Sequence, residues 1–282
     1  MKELGKRILT AAIGIPLAIY IFLTGGYIFA IAILIISGFG LYEFYNMAEK
    51  KGLKPIKTVS IVLSSIVGIL FYLRLIDEIG NYTFILSFIL PTLLMTLLLL
   101  VALYRKSISA ITDISVSIGG IMYVAFPLFC LIAIRDFNYL AVTDVDWGYF
   151  TLTLFIGIWV CDSAAYFIGR VIGKHKLFPR HSPKKSWEGA IAGFVFGTAG
   201  FVGLNYWLNP SIELTNSLIL GIVITVFCQF GDLIESHFKR DSGVKDSSNF
   251  FPGHGGFLDR FDGVIYISPI VLLILILQYM TV

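Results

Sequence analysis

The stretch SHFKRDSGVKDSSNFFPGHGGFLDRFD, residues 236–262, is strongly polar and separates two long apolar runs. It carries four basic residues, two histidines and four aspartates. The neighbouring apolar runs, near 216–237 and 261–281, are long enough to cross a bilayer. Because ionisable groups beside lipid are costly and are usually retained for function, this stretch is predicted to join two transmembrane helices and to hold a functional site.

The composition supports a membrane protein. Of the 282 residues, 57% are hydrophobic and 14% are charged, whereas soluble domains have about 25% charged residues. The net charge of +3 is small and the basic residues are confined to loops, which argues against nucleic-acid binding. Cys130, Cys161 and Cys228 all fall in apolar runs without metal-ligand spacing, so they are interpreted as packing residues.

The apolar runs predict a polytopic all-α protein with about nine transmembrane helices, forming one transmembrane domain over residues 1–282. The predicted spans are 8–24, 26–48, 57–76, 82–104, 109–134, 148–171, 187–208, 216–237 and 261–281. Eight spans is the main alternative, since only Gly25 and Gly26 separate the first two. The first run lacks a convincing cleavage pattern and is interpreted as a retained helix rather than a signal peptide.

The basic residues predict the orientation. All of the 21 Lys and Arg residues except Arg74 and Arg135 fall on one side of the predicted bundle. The positive-inside rule makes that side cytoplasmic. The protein is therefore predicted to be a multi-pass protein of the cell membrane with its N-terminus in the cytoplasm and its C-terminus outside.

Two loops on the predicted cytoplasmic side share an unusual composition. The loops after the sixth and eighth spans contain all four histidines together with the longest charge clusters. Positive loops alone would serve topology, but these also mix aspartate, histidine and glycine among the lysines. The active site is therefore predicted at the cytoplasmic side of the C-terminal helices, within residues 148–282, while residues 1–135 form generic helices. The sequence contains no clear internal or inverted repeat.

Carboxylates within the apolar runs point to the same place. Asp162 lies eight residues before Arg170, and Asp232 lies seven before Lys239. Both are thus roughly 10–12 Å below the charged belt, and we expect them to share a polar cavity. Asp113 is interpreted as a structural hydrogen-bond acceptor. Glu43 is ambiguous.

The start of the last span favours a hard cation and phosphate. Asp259 and Asp262 share one helical face, and Mg²⁺ prefers one or two carboxylates with water and substrate phosphates. Helix capping would explain one aspartate, but not both together with Asp232 and Asp246. The turn PGHGG, residues 252–256, offers backbone N–H groups to an anion. This combination suits phosphoryl or nucleotidyl transfer.

At these residues the chain resembles the phosphatidate cytidylyltransferases, also called CDP-diacylglycerol synthases. Twelve positions of the family's pattern are filled without a gap: Ser236, Lys239, Arg240, Lys245, Asp246, Pro252, His254, Gly255, Gly256, Asp259, Arg260 and Asp262. The segments DSAAYFIGRVIGKHKL (162–177) and SPKKSWEG (182–189) also look like the family's second block. One departure is Ser163–Ala164, where the family pattern favours Thr-Gly. Over the first five spans the resemblance rests on hydropathy alone.

The resemblance implies that CTP and phosphatidic acid give CDP-diacylglycerol and pyrophosphate, with a divalent metal, as part of phospholipid biosynthesis in the bilayer. It implies the following catalytic residues: Asp232, Lys239, Arg240, Lys245, Asp246, Asp259 and Arg260. It implies the following substrate-binding residues: Asp162, Lys184, Lys185, Ser236, His254, Gly255 and Gly256. Mg²⁺ would be held by Asp232, Asp259 and Asp262, while Asp246 would either support these ligands or bind a second cation. Whether Lys184 and Lys185 take CTP or the lipid headgroup stays open.

Two other classes remain as alternatives. A secondary transporter also places carboxylates in the membrane, but would show repeats and broken helices. A CTP-dependent lipid kinase shares the nucleotide and differs in the group that it transfers. The oligomeric state is open, with a homodimer as one alternative.

Overall fold

The computed structural model of the chain describes residues 2–76, 83–105, 109–141, 143–180, 182–251 and 255–279. In these ranges the chain forms a bundle of long helices and one antiparallel pair of short strands. The helices are α1 (Lys2–Thr24), α2 (Gly26–Lys50), α3 (Lys57–Leu75), α4 (Thr83–Tyr104), α5 (Ala110–Gly120), α6 (Phe126–Arg135), α7 (Trp147–Ile172), α8 (Trp187–Leu208), α9 (Leu214–Asp241) and α10 (Leu258–Tyr279). The strands are β1 (Lys176–Phe178) and β2 (Ser182–Ser186).

Seven helical runs among the described residues are long and apolar enough to cross a membrane: α2, α3, α5 with α6, α7, α8, α9 and α10. Two shorter apolar helices, Ala12–Thr24 and Thr92–Tyr104, lie in the first and fourth predicted spans. The prediction of an all-α, multi-pass membrane protein is therefore confirmed. Nine as the number of spans stays a prediction.

The fifth predicted span is interrupted by a π-helical turn. Residues Ile121–Ala125 form this turn between α5 and α6, directly after Gly119 and Gly120. Pro127 follows and has no N–H to donate to the carbonyl of Tyr123, so regular α-helical hydrogen bonding cannot continue there. Gly120, directly before the turn, lets Tyr45 of α2 approach, because a Cβ there would lie 2.6 Å from the Tyr45 ring.

Small residues allow α7 and α8 to pack closely. Gly189, Gly193 and Gly197 recur every four residues and lie on one face of α8. A Cβ at Gly193 would lie 2.8 Å from the carbonyl oxygen of Cys161, and one at Gly189 would lie 2.6 Å from that of Ala165. Helix association in membranes relies on such close contacts, because lipid supplies no hydrophobic drive between helices. This packing holds α7, and with it Asp162, against the last helices.

Asp113 has the structural role that was expected of it. It is buried, and its Oδ1 accepts a hydrogen bond from the backbone N–H of Lys54 at 2.9 Å. One turn later, Ser117 Oγ accepts from the backbone N–H of Ile56 at 2.7 Å. The start of α5 thus holds the connection between α2 and α3.

Arg135 is one of the two basic residues on the predicted non-cytoplasmic side, and it binds the end of α1. Its Nε donates to the carbonyl oxygen of Phe22 at 2.5 Å, and a terminal nitrogen donates to that of Leu23 at 2.8 Å. These carbonyls belong to the last turn of α1, where no intrahelical donor is available. Asp136 lies 3.3 Å from the guanidinium and also accepts from Gly26 N. This buried cluster joins α1, α2 and α6.

We expect Arg135→Gln to destabilise the protein. The change removes hydrogen bonds between a buried charge and two helix-end carbonyls, and a bond of this kind contributes about 1.5–3 kcal/mol. The free energy of unfolding in mixed micelles should therefore fall by about 2–4 kcal/mol. The exposed Arg74 provides the control. Arg74→Gln should change the free energy of unfolding by less than about 0.5 kcal/mol. An equal fall in the free energy of unfolding in the two variants would contradict this role for Arg135.

Candidate active site

Helices α7, α9 and α10 bring their carboxylates to one cavity of about 1060 Å³. Asp162, Asp232 and Asp262 all line it, together with Lys185 of β2 and Arg260 of α10. Asp162 faces the charges of Asp232, Lys185 and Arg260. The structure therefore places Asp162 and Asp232 at a shared polar cavity, as the matched depth of the two residues predicted.

Three carboxylates form a compact group in this cavity, which we call the carboxylate triad: Asp232, Glu235 and Asp262. One oxygen from each lies within 4.8 Å of the others. Asp232 and Glu235 are three residues apart and so share a face of α9. Asp262 can come close because the helices meet at glycines, since a Cβ at Gly231 would lie 2.5 Å from the Asp262 carbonyl oxygen.

Glu235 is the triad member with a buried oxygen that no described residue satisfies. Its side chain is 1% exposed, and Oε2 accepts from Lys239 Nζ at 2.5 Å. Its Oε1 is buried and has no hydrogen-bond partner among the described residues. An unpaired buried carboxylate oxygen is costly, and hard divalent cations bind such oxygens. The donor set and this free oxygen fit a Mg²⁺-type ion.

Asp259 lies next to the triad but has other partners. Its Oδ1 accepts from Lys239 Nζ at 2.6 Å, so Lys239 bridges Asp259 and Glu235. Its Oδ2 accepts from Ser247 N at 2.9 Å, Ser247 Oγ at 2.8 Å and Gly256 N at 2.7 Å. The structure thus groups Asp232 and Asp262 with Glu235, while a metal-binding role for Asp259 stays a prediction.

Cationic side chains surround the triad. Lys185 Nζ lies 2.5 Å from Asp232 Oδ2, which places β2 over the cavity. The β1–β2 hairpin is held to α8, since His175 Nδ1 lies 2.6 Å from Glu188 Oε1 and Ser186 Oγ accepts from Gly189 N at 3.2 Å. The cations that line the cavity are Arg170, Lys176, Lys184, Lys185, Lys239, Lys245 and Arg260.

The remaining predicted residues divide into three groups. Asp246 and Gly255 line the cavity. Arg240, Ser236 and Gly256 are not among its lining residues: Arg240 donates to the Val244 carbonyl at 3.0 Å, and Ser236 Oγ donates to Asp232 Oδ1 at 3.3 Å. Pro252 and His254 lie outside the described residues, as does His181.

Sequence reasoning missed Glu235 and left Glu43 ambiguous. The signal for Glu235 was present, because Asp232, Glu235 and Lys239 recur with helical spacing on one face of α9. Tyr123 was also missed. It lies on the π-helical turn, packs against Phe238 at 5.1 Å between ring centroids, and its buried hydroxyl has no partner among the described residues.

The membrane-length helices and this ionic cavity define a class: a multi-pass helical membrane protein with a charged site formed by α7, α9, α10 and the β1–β2 hairpin. Within that class, the chain belongs to the cytidylyltransferase family, whose sequence model matches residues 5–278. The resemblance found from the polar stretch is therefore confirmed over almost the whole chain.

Individual relatives agree with this family. The chain is 32% identical to the phosphatidate cytidylyltransferase of Staphylococcus saprophyticus, over 96% of this chain and 98% of that protein. It is 32% identical to that of a Synechocystis species, with 94% of each chain covered. It is 30% identical to that of Staphylococcus aureus, over 96% of this chain and 98% of that protein.

Proposed function

We propose that this protein is a phosphatidate cytidylyltransferase, which converts CTP and phosphatidic acid into CDP-diacylglycerol and pyrophosphate for phospholipid synthesis. The observation that carries the proposal is the carboxylate triad, enclosed by lysines and arginines in a cavity between membrane-length helices. Such a cavity suits a water-soluble triphosphate and a lipid phosphate at once. The relatives named above have this activity in their names.

The reaction needs positioning and charge neutralisation more than acid–base chemistry. An oxygen of the lipid phosphate attacks the α-phosphorus of CTP, and the bond from that phosphorus to the bridging oxygen of the β-phosphate breaks. The bridging oxygen keeps the electron pair and leaves with pyrophosphate. No strong general base is required, because the attacking phosphate monoester already carries unprotonated oxygens. Catalysis in phosphoryl-type transfer comes mainly from fixed charges around the transferred group.

We assign the neutralisation of phosphate charge to Lys184, Lys245 and Arg260. These residues line the cavity and are not part of the bridge that Lys239 forms between Glu235 and Asp259. Lys239 itself is assigned to positioning, since both of its carboxylate partners are protein side chains. Arg240 is assigned to holding the loop after α9, because it binds the Val244 carbonyl.

We further propose that Asp232, Glu235 and Asp262 hold a Mg²⁺-type cation. The compact donor set supports this assignment, as does Glu235 Oε1, which has no partner in the part of the chain that the structure describes. When bound, such a cation would neutralise charge on the nucleotide phosphates and the departing pyrophosphate. Asp246, at the cavity wall, is retained as the candidate for a second cation.

Product analysis tests the proposed function. Purified protein is given phosphatidic acid and CTP labelled in the cytosine ring, with a parallel sample lacking the lipid. We expect label to enter the lipid fraction and pyrophosphate to be released only when phosphatidic acid is present. Lipid phosphorylation with release of CDP would instead identify a lipid kinase. If neither a cytidylylated lipid nor a phosphorylated lipid forms, cytidylyl transfer is overturned and a transporter is favoured.

We also propose that the cavity opens to the cytoplasm and that the C-terminus lies outside, as the positive-inside rule predicts. A reporter enzyme that works only outside the cytoplasm should therefore be active when it is fused at Val282, and one that works only in the cytoplasm should be inactive there. The same reporters inserted at Lys106 should report the cytoplasm and serve as the control. Cytoplasmic activity of the Val282 fusion would contradict nine spans and favour eight.

A further inference from the structure

Glu43 of α2 is a buried carboxylate that accepts four hydrogen bonds, three from the segment before α10 and one from the first residue of α10. The residue is 3% exposed. Its Oε1 accepts from Ser248 Oγ at 2.6 Å and from Phe257 N at 3.0 Å. Its Oε2 accepts from Ser247 Oγ at 2.9 Å and from Leu258 N at 2.9 Å. Glu43 therefore connects α2 to the start of α10 and to the described residues 242–251 and 255–257, which we call the active-site loop.

Helix capping explains only half of these contacts. The N–H groups of Phe257 and Leu258 lie at the start of α10 and lack intrahelical acceptors, so a carboxylate there is an ordinary cap. The bonds from Ser247 and Ser248 serve no such purpose, because these residues lie ten positions earlier in the loop. They tie the first half of the active-site loop to its end.

The approach of Glu43 also requires a residue without a side chain. A Cβ at Gly256 would lie within 2.5 Å of both Glu43 carboxylate oxygens. A buried carboxylate is costly unless several donors surround it, and here three of the four donors come from the active-site loop. Position 256 therefore has a steric reason for glycine that is separate from any contact with phosphate.

The active-site loop supplies several groups to the cavity: Lys245, Asp246, Asn249 and Gly255. Lys245 and Asp246 directly precede Ser247, the residue that Glu43 binds. Lys245 and Asp246 lie between the end of α9 at Asp241 and the two serines that Glu43 binds, so they are held from both sides. Their positions thus depend on a residue of α2, which does not itself line the cavity.

A chain of hydrogen bonds continues from Glu43 to the carboxylate triad. Ser247 Oγ lies 2.9 Å from Glu43 Oε2 and 2.8 Å from Asp259 Oδ2, so its single hydroxyl hydrogen is shared between the two carboxylates. Asp259 then accepts from Lys239, and Lys239 donates to Glu235 of the triad. A change at Glu43 can therefore reach the triad through three intervening side chains.

We propose that Glu43 is a positioning residue of this active site: it holds the active-site loop where Lys245 and Asp246 line the cavity and where Asp259 binds Lys239. The inference rests on the proposed function and adds to it a contribution from the N-terminal helices. Glu43 is not among the residues that line the cavity, and it acts through the loop.

Glu43→Gln provides the test, because glutamine keeps the size but presents an NH₂ group to donors that need an acceptor. We expect kcat/KM for CTP, per folded protein, to fall about 100-fold, the effect of displacing catalytic groups by about 1 Å. Hydrogen exchange at the Phe257 and Leu258 amides should accelerate. Ser248→Ala, which removes one of the four bonds, should cause a smaller loss of the same kind.

Asp113→Asn is the matched control, because Asp113 is also a buried carboxylate that accepts a backbone N–H bond. It should lower the unfolding temperature as Glu43→Gln does, accelerate exchange at Lys54, and leave kcat/KM per folded protein unchanged. A purely structural role for Glu43 would give the two variants the same profile, and that result would overturn the proposal.

The same experiment separates failure of this inference from failure of the proposed function. If the wild-type protein makes no CDP-diacylglycerol, the proposed function is wrong, and exchange at Phe257 and Leu258 still decides whether Glu43 holds the loop. If the wild-type protein is active and Glu43→Gln matches it in both turnover and exchange, the function stands and the positioning role is wrong.

Discussion

Asp232→Asn and Asp262→Asn are each expected to lower turnover about 1000-fold while leaving a folded, membrane-inserted protein. Each change keeps the side-chain volume but removes a negative charge from the carboxylate triad. The cation that we propose there would bind more weakly, and the phosphate charge in the transition state would lose its counterion. Turnover is measured from labelled CTP, and cation binding is measured independently from the electron paramagnetic resonance of added Mn²⁺.

Asp241→Asn is the matched control for these variants. Asp241 lies on α9, as Asp232 does, is exposed, and pairs with Lys51 rather than with the triad. It should retain wild-type turnover and Mn²⁺ binding. Wild-type turnover in Asp232→Asn at ordinary Mg²⁺ concentrations would contradict the metal assignment. Weaker Mn²⁺ binding in Glu235→Gln than in Asp259→Asn would support Glu235, rather than Asp259, as the third ligand.

Lys239→Met is expected to damage both stability and turnover. Lys239 is 8% exposed and binds Glu235 and Asp259 at 2.5 and 2.6 Å. Removing one partner of a buried ion pair leaves uncompensated charge and costs about 3–5 kcal/mol. The free energy of unfolding should fall by about that amount, and turnover should fall because the triad and Asp259 lose their bridge.

Lys51→Met gives the corresponding change at an exposed pair and should alter stability by about 0–1 kcal/mol. The double variant Lys239→Met/Glu235→Gln should recover part of the lost stability, because one unpaired buried charge is removed, but it should not recover turnover. Unchanged stability in Lys239→Met would contradict the buried bridge. Recovery of turnover in the double variant would contradict a role for Glu235 in the site.

The membrane architecture could be predicted because hydropathy is a local property that adds along the chain. Each long apolar run, such as 187–208, reads as a helix without reference to its neighbours, and α8 spans the same residues. The depth of Asp162 and Asp232 followed in the same way, from residue counts to the charged belt. Family motifs then pointed to the stretch 236–262.

Which residues form the site could not be predicted as fully from the sequence. Spacing showed which residues of α9 share a face, but not which face of α10 would meet it. The close contact at Gly231 and Gly263 decides that Asp262 approaches Asp232 and Glu235, while Asp259 binds Lys239 and the loop. Arg240 belonged to the motif, yet its guanidinium binds the loop backbone rather than lining the cavity.

By itself, then, the sequence determined an all-α membrane protein, the polar stretch that carries its chemistry and the family to which it belongs. Only the tertiary structure decided that Glu235 joins the triad and that Glu43, 204 residues before Ser247, holds the active-site loop. The physical reason is the range of the interactions. Hydropathy and helical spacing act within a segment, whereas a buried carboxylate takes its partners from whichever donors the packed helices bring to it.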